Sequence, residues 1–435
     1  MADLLSVEDG RITLHEYGSS RQYALGDVDL DLLDEANARW KKLLGLADDP
    51  IRTTVEGGTV TLRAEGVTGV VRVGELDIEI SPKFLDQSRD GWQSVLWQIL
   101  TLVEGGLVDD ALTRADEAPT MSVPDLLAEM FLSSFARGAG RGLPRGYMTL
   151  KGSGPALRGS LDLARIGEWL SRPWQLPYVA DYLTDNTSLA RLLRWTAETL
   201  AATVRHAGRA RALREVTSTI AHVDRRPPHL FDAQRIQLGL QHRGLEPARI
   251  VGVLLLEGAG LAHAKGAHAL SGFLWNSDEI YENFVFWLCA RAASRQHLVV
   301  DKRVIRFGEV VAGSGRPLET TPDVVFRDRC GVPVAVLDSK YKLWGSRPKS
   351  SDTYQVLTAA HVLGCDRLSL AYPDSKERMP TSWRVESLLG ARTVELTALP
   401  LNLMALAEPR GVEFLIDTIS GWLLGSAPAW EEDHE

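Results

Sequence analysis

Two carboxylates and an ammonium, Asp323, Asp338 and Lys340, stand at a spacing that suits metal-assisted phosphate chemistry. They belong to the run TTPDVVFRDRCGVPVAVLDSKYKLW, which starts at Thr320. Apolar segments at 324–326 and 332–337 flank the turn-forming Asp328-Arg329-Cys330-Gly331 and predict a β-hairpin. A turn centred between Cys330 and Gly331 sets Asp323 across from Asp338, to within a residue or two. Side chains alternate along a strand, so Asp338 and Lys340 share one face. Two carboxylates a few ångströms apart repel, and one pKa rises unless a cation lies between them. Mg²⁺ favours carboxylate and water oxygens, and Mn²⁺ takes the same ligands. Such a cation polarises a phosphoryl group and activates a water. Lys340 would orient that water or stabilise charge on the phosphate. Singly, Pro-Asp is a common turn start and Asp-x-Lys a common surface ion pair, worth about 0–1 kcal/mol. Their combination across one hairpin points to phosphodiester hydrolysis.

The elements around the hairpin supply further candidates. Upstream, NSDEIYENFVFWLCARAA predicts a helix that Asn276 or Ser277 caps, with Glu279 in its first turn. Ile280, Phe284, Trp287 and Leu288 form its apolar stripe, and Glu282 lies off that stripe. Downstream, SDTYQVLTAAHVLGCDRLSLAYP predicts a helix carrying Gln355, then a strand ending at Tyr372-Pro373. Gln355, Ala359 and Val362 fall on one helical face, which sets Gln355 at the edge of the core. Residues 10–83 read as strands around one helix near 32–46, and 92–136 and 180–223 read as helices. The expected fold class is α/β, mixed α+β overall. The expected domains are a β-rich region 1–90, a mainly helical region 91–270, a mixed sheet flanked by helices at 271–425, and a disordered acidic tail 426–435.

Composition narrows the class. The 435 residues are 45% apolar and 24% charged, with a net charge of −9, an ordinary globular balance. No apolar run approaches the ~20 residues of a membrane span. The opening MADLLSVEDG carries Asp3, Glu8 and Asp9 where a secretory signal carries positive charge. Cys289, Cys330 and Cys365 are scattered and suit a reducing cytoplasm. The acidity sits at the two ends of the chain. Two arginine-rich segments, 137–165 and 205–226, read either as solvated faces or as phosphate-backbone contacts.

The hairpin with its flanking helices is the PD-(D/E)xK nuclease pattern, and the whole run resembles the McrC family. McrC chains are the nuclease subunits of McrBC-type, 5-methylcytosine-dependent restriction systems. ITLHEYG and VGELDIEISPKF resemble the family's opening strands, and RGLPRGYMTLKGSGPALRGSLDL and LTDNTSLARLLRWTAETL resemble its middle segments. The resemblance implies that Asp323, Asp338 and Glu282 hold Mg²⁺ and that Lys340 assists the attacking water. It matches Tyr281-Glu282 to the family's Phe-Glu element and Tyr354-Gln355 to its Tyr-Gln pair, which makes Gln355 a catalytic candidate. Glu279 competes with Glu282 for the acid's role and reads better as a helix cap. The resemblance further implies double-stranded DNA as substrate and a McrB-like AAA+ GTPase hexamer as partner, engaged through the N-terminal region and stimulated by this chain. No GxxxxGK[ST] phosphate loop is present, so the motor is expected on another polypeptide. Two alternatives stay open: a non-cutting activator of the motor, and a stand-alone RecB-like repair nuclease.

Overall fold

The computed structural model describes residues 11–84 (apart from 25, 27 and 75), 92–103, 123–257 (apart from 141 and 205), 271–386 (apart from 312–314 and 346) and 393–425. The expected acidic tail lies outside the described residues. The chain divides into two compact units, one of residues 1–123 with 263–435, the other of residues 124–262. The regions 1–90 and 271–425 therefore share one unit.

The first unit begins with β1 (Arg11–His15), β2 (Arg21–Ala24), α1 (Leu30–Leu43), β3 (Ile51–Glu56), β4 (Thr59–Ala64), β5 (Val67–Val73), β6 (Leu76–Ser81) and α2 (Trp92–Val103). The second unit contains α3 (Val123–Ala139), β7 (Gly146–Gly154), β8 (Ser160–Leu161), α4 (Ile166–Ser171), β9 (Leu176–Thr184), α5 (Ser188–Thr203), α6 (Ala207–Thr219), α7 (Leu230–Gln234) and α8 (Glu246–Glu257). Its helices carry buried apolar faces, as the sequence periodicity predicts. Strands β7, β9 and β8 add a three-stranded antiparallel sheet to this mainly helical region. That sheet left little trace in the sequence, because β7 is exposed along most of its length and lacks an apolar alternation.

The chain then returns to the first unit with β10 (Ser271–Asn276), α9 (Ser277–Arg295), β11 (Val299–Asp301), β12 (Ile305–Gly308), β13 (Leu318–Thr320), β14 (Val324–Arg327), β15 (Pro333–Ser339), α10 (Ser350–Leu363), β16 (Arg367–Asp374), β17 (Thr381–Glu386), β18 (Thr393–Asn402) and α11 (Gly411–Leu424). Strand β10 joins a four-stranded sheet in the order β1-β6-β5-β10, and the Ser277 amide donates to the Gly66 carbonyl at 3.1 Å. This pairing ties the segment that enters α9 to the N-terminal strands.

A six-stranded mixed sheet, ordered β11-β14-β15-β16-β18-β17, forms the frame of the candidate site. Alternation along β14 and β15 sends side chains to two different cores. Val324, Phe326, Ala335 and Leu337 pack with Phe284, Leu288 and Cys289 of α9 and Leu415 and Ile419 of α11. Val336 faces the other way, with Val356, Ala359 and Ala360 of α10 and Leu368 and Leu370 of β16. Helices cover both faces, as a sheet with a parallel centre requires.

Candidate active site

Turn chemistry sets the hairpin. Asp328 Oδ1 accepts from the Cys330 amide at 2.9 Å and the Val332 amide at 2.8 Å, closing the loop on itself. Gly331 has φ +82°, a left-handed conformation that glycine adopts without strain. The ladder pairs Val324 with Leu337, Val325 with Val336 and Phe326 with Ala335, and a bulge follows at Arg327. Continued by one step, this register brings Asp323 opposite Asp338. Both point to the α10 side of the sheet, by alternation from Val325 and Val336.

Each candidate then has a defined environment. Ser339 donates to Asp323 Oδ2 twice, from its amide at 2.8 Å and from its hydroxyl at 2.6 Å. Asp338 is only 1% exposed, and its carboxylate forms an ion pair with the Lys340 ammonium. Burial, reinforced by the Asp323 charge, pushes the Asp338 carboxyl up to about 6, although Lys340 opposes the shift. Lys340 Nζ also donates to Gln355 Oε1 at 3.1 Å. Helix α10 is held in register for that contact by Lys342, whose Nζ lies 2.9 and 3.0 Å from the two oxygens of buried Asp352 in its first turn. The Lys340 backbone amide donates to Ala371 of β16 at 2.8 Å. The lysine is thus fixed at both its backbone and its head.

Glu282 arrives from the other layer. Asn276 caps α9, its side chain accepting from the amides of Asp278 and Glu279. The buried stripe of α9 is Tyr281, Phe284, Val285, Leu288 and Cys289. Ile280 and Trp287 are only partly buried, so the apolar face is rotated slightly from the expected one. Glu282 lies beside this stripe and forms an ion pair with Lys302, whose Nζ also stands 3.6 Å from Asp323 Oδ1. Among the described residues, no hydrogen bond or ion pair joins the Glu279 side chain to the hairpin. Sequence reasoning missed Lys302. It follows β11 in a short connection with no periodicity, and only the pairing of Asp301 with Val325 carries it to the Asp323 end of β14.

The structure therefore assembles Asp323, Asp338, Lys340 and Gln355 directly, and links Glu282 to them through Lys302. Asp323 and Asp338 offer the oxygen donors that Mg²⁺ takes. A divalent cation beside them would offset the Asp323 charge, which adds to burial in holding Asp338 up near 6. Among the described residues, no three His, Cys, Asp or Glu side chains converge on a point that could hold a metal. The two-carboxylate pair fits the ion, and Glu282 is held off by its lysine.

Other features fall outside this cluster. A cavity of about 840 Å³ in the second unit is lined by residues such as Arg145, Asp185, His222 and His242 and contains none of the hairpin residues. Several arginines of the two basic segments are engaged with carboxylates: Arg145 with Asp185 at 2.6 Å, Arg209 with Glu129 at 3.2 Å, Arg211 with Glu215 at 3.2 Å and Arg225 with Glu198 at 3.5 Å. Arg141 and Arg205 lie outside the described residues. Among those residues, no helix is long and apolar enough to cross a membrane.

Comparison with known proteins places the chain. A search of curated proteins finds no match. Among solved structures, the chain is similar to one in a half-complex from the tetradecameric assembly of Thermococcus gammatolerans McrB AAA+ hexamers with bound McrC. The TM-score is 0.59 at 15% identity, over 94% of this chain and 99% of that one. A second match, in the cryo-EM structure of the T. gammatolerans McrBC complex, has a TM-score of 0.44 at 15% identity and covers 65% of this chain and 88% of that one. At such identity the first likeness speaks for the fold alone. The family model of the McrBC 5-methylcytosine restriction system component matches residues 62–373, which take in β5, β6, the second unit and the hairpin. The chain belongs to the McrBC 5-methylcytosine restriction system component family.

Proposed function

We propose that this McrBC-family subunit is the cutting subunit of its restriction complex, a Mg²⁺-dependent endonuclease acting on double-stranded DNA. The observation that carries the reading is the hairpin end, where buried Asp338 and its neighbour Asp323 face each other beside Lys340. Asp323 and Asp338 would hold the cation, which supplies Lewis-acid polarisation of the phosphate and a lowered pKa for a bound water. Ser339 fixes the Asp323 carboxylate through two donors, and so sets its orientation before any ligand arrives. Lys340, steadied by Gln355, places a positive charge beside the carboxylates, where it stabilises charge developing on the phosphate. Glu282 tunes this charge balance through Lys302.

The partner is inferred from the relative whose structure contains McrB AAA+ hexamers with bound McrC. By that likeness the present chain would work with a McrB-like AAA+ GTPase, contacting it through the N-terminal strands and stimulating GTP hydrolysis. One observation favours the second reading, an activator that does not cut: Lys302 pairs with Glu282, the third candidate carboxylate, and stands 3.6 Å from Asp323 Oδ1.

Phage restriction in cells separates the two. The chain is expressed with its GTPase partner and challenged with phage carrying modified cytosine, as wild type and as Asp338→Ala. The mutant protein is checked for folding and for co-purification with the partner. Restriction lost in an assembled mutant supports the cutting subunit, and restriction unchanged leaves the activator.

A further inference from the structure

A cavity of about 450 Å³ lies within the first unit, beside the hairpin, at the ends of β15 and β16. Its size falls in the range of about 300–1,000 Å³ that holds small molecules. Ligands of α/β sheets commonly bind at the carboxyl ends of the parallel strands, and β15, β16 and β18 are parallel to one another.

The lining combines an aromatic wall with cations. Trp344, four residues beyond Lys340, is half-buried and braced by Tyr372, 4.9 Å between ring centroids, and by Trp383, 6.4 Å. Lys83, Lys376 and Arg378 face the same space, with one carboxylate among the lining residues, Asp374. That carboxylate is 5% exposed and already engaged. Its Oδ1 accepts from the amides of Ser375 and Lys376 at 2.8 and 3.0 Å, and its Oδ2 pairs with Arg378 Nε at 2.9 Å. Lys83 also feels the charges of Glu16 and Asp278, and Lys376 adds a second cation to the lining. The cavity lies near the end of the hairpin. Lys83 Nζ stands 3.6 Å from the ring centre of Tyr341, the residue after Lys340, and Trp344 follows Lys340 by four residues.

A rigid aromatic face with ammonium groups at its rim is the chemistry that holds a nucleotide: the ring stacks on the base and the cations take the phosphate. We propose that this cavity binds one nucleotide of the DNA strand next to the phosphate being cut, with its base against Trp344 and its phosphate between Lys83 and Lys376. The assignment rests on the nuclease reading above, because it is continuity with the hairpin that makes a strand of DNA the occupant.

The test measures fluorescence anisotropy of a fluorescein-labelled DNA duplex and its matching single strand with the full chain, in the non-cutting Asp338→Ala background, across a salt series. Lys376→Glu is expected to weaken binding about tenfold and to lower the slope of log affinity on log salt by about 1. Trp344→Leu is expected to weaken single-strand binding about tenfold with the salt slope unchanged. Lys42→Glu, an equal charge reversal on α1, is the control and should bind as the parent does. Matching melting curves establish that all the variants fold. The proposal is overturned if both cavity variants bind as the parent does, if Lys42→Glu loses as much, or if the folded parent binds no DNA. Cleavage by the chain with Asp338 intact, assembled with the AAA+ GTPase and supplied with GTP and Mg²⁺, is scored separately. Absent cleavage with both binding losses present removes the nuclease reading and keeps the cavity, whereas cleavage with no binding loss removes the cavity alone.

Discussion

Asp338 is a carboxylate that the fold holds at a cost. It is buried at the end of an apolar strand beside Asp323, and its carboxyl is raised to about 6 in consequence. Metal binding must displace that proton. Apparent Mg²⁺ affinity, measured by calorimetry on the purified chain, should therefore fall about tenfold for each pH unit below about 6 and level off above it. A flat profile from pH 5 to 8 would contradict the pairing. Lys302 belongs to the same balance. It neutralises Glu282 and Asp323 while no cation is bound, so Lys302→Met should tighten Mg²⁺ binding several-fold, and weaker binding would show that the lysine instead supports the metal site. Ser339→Ala removes one of the two donors on Asp323, and groups that orient a metal ligand are typically worth about 10–100-fold in affinity or activity. At this scale Asp323, Asp338 and Lys340 were legible because residue type and strand alternation locate them. Gln355 was legible as a helical position and, through the family resemblance, as a catalytic candidate, but its contact with Lys340 required the packing of α10. Lys302 was not legible, since nothing local distinguishes it from the neighbouring Arg303.

Among the elements, the hairpin and the helices that flank it follow from short-range signals: an Asp-turn closed by Gly331, an Asn276 cap, and apolar runs between them. What joins the N-terminal strands to the six-stranded sheet does not. Glu16, just after β1, accepts a hydrogen bond from the Tyr341 hydroxyl, 325 residues away in sequence, and another from the Lys83 amide at 3.2 Å. Its carboxyl is fully buried, and that burial raises its pKa from 4.5 to about 7 despite the Lys83 charge. The sign of the linkage follows. Glu16 favours folding while protonated, and that contribution is lost as pH rises from about 4.5 through about 7. The lost free energy is on the order of 3 kcal/mol, at about 1.4 kcal/mol per pKa unit. Glu16→Gln should therefore flatten the fall in melting temperature between pH 5 and 8, and an unchanged slope would locate the titration elsewhere. The sequence marks Glu16 only as one acid in a strand-rich region, because the groups that bury it come from β6 and from the segment after β15.

Over the whole chain, mixed α/β architecture was readable from alternating strand and helix periods, and the family resemblance from the motif run at 320–366. The association of residues 1–123 with 263–435 was not readable, since it depends on β10 adding to a sheet begun two hundred residues earlier. Nor was the sheet of β7, β8 and β9, whose exposed strands carry no apolar signature. The division has a consequence for assembly. The hairpin and the N-terminal strands belong to one unit, so a partner that engages those strands acts on the same compact body that carries Asp338. A variant lacking only the carboxylate should thus keep its partner and lose its chemistry. The most direct measurement is cleavage of methylated DNA by the purified assembly of this chain with the proposed AAA+ GTPase. It is run with GTP and a Mg²⁺ titration, comparing wild type with Asp338→Ala and following GTP hydrolysis in parallel. Groups that only orient a metal ligand typically cost up to about 100-fold, so loss of the ligand itself should cost more. The account predicts cleavage reduced by more than about 100-fold in the variant, with complex formation and GTP hydrolysis retained. Cleavage at the wild-type rate by the assembled variant would contradict it and place the cutting chemistry outside this hairpin.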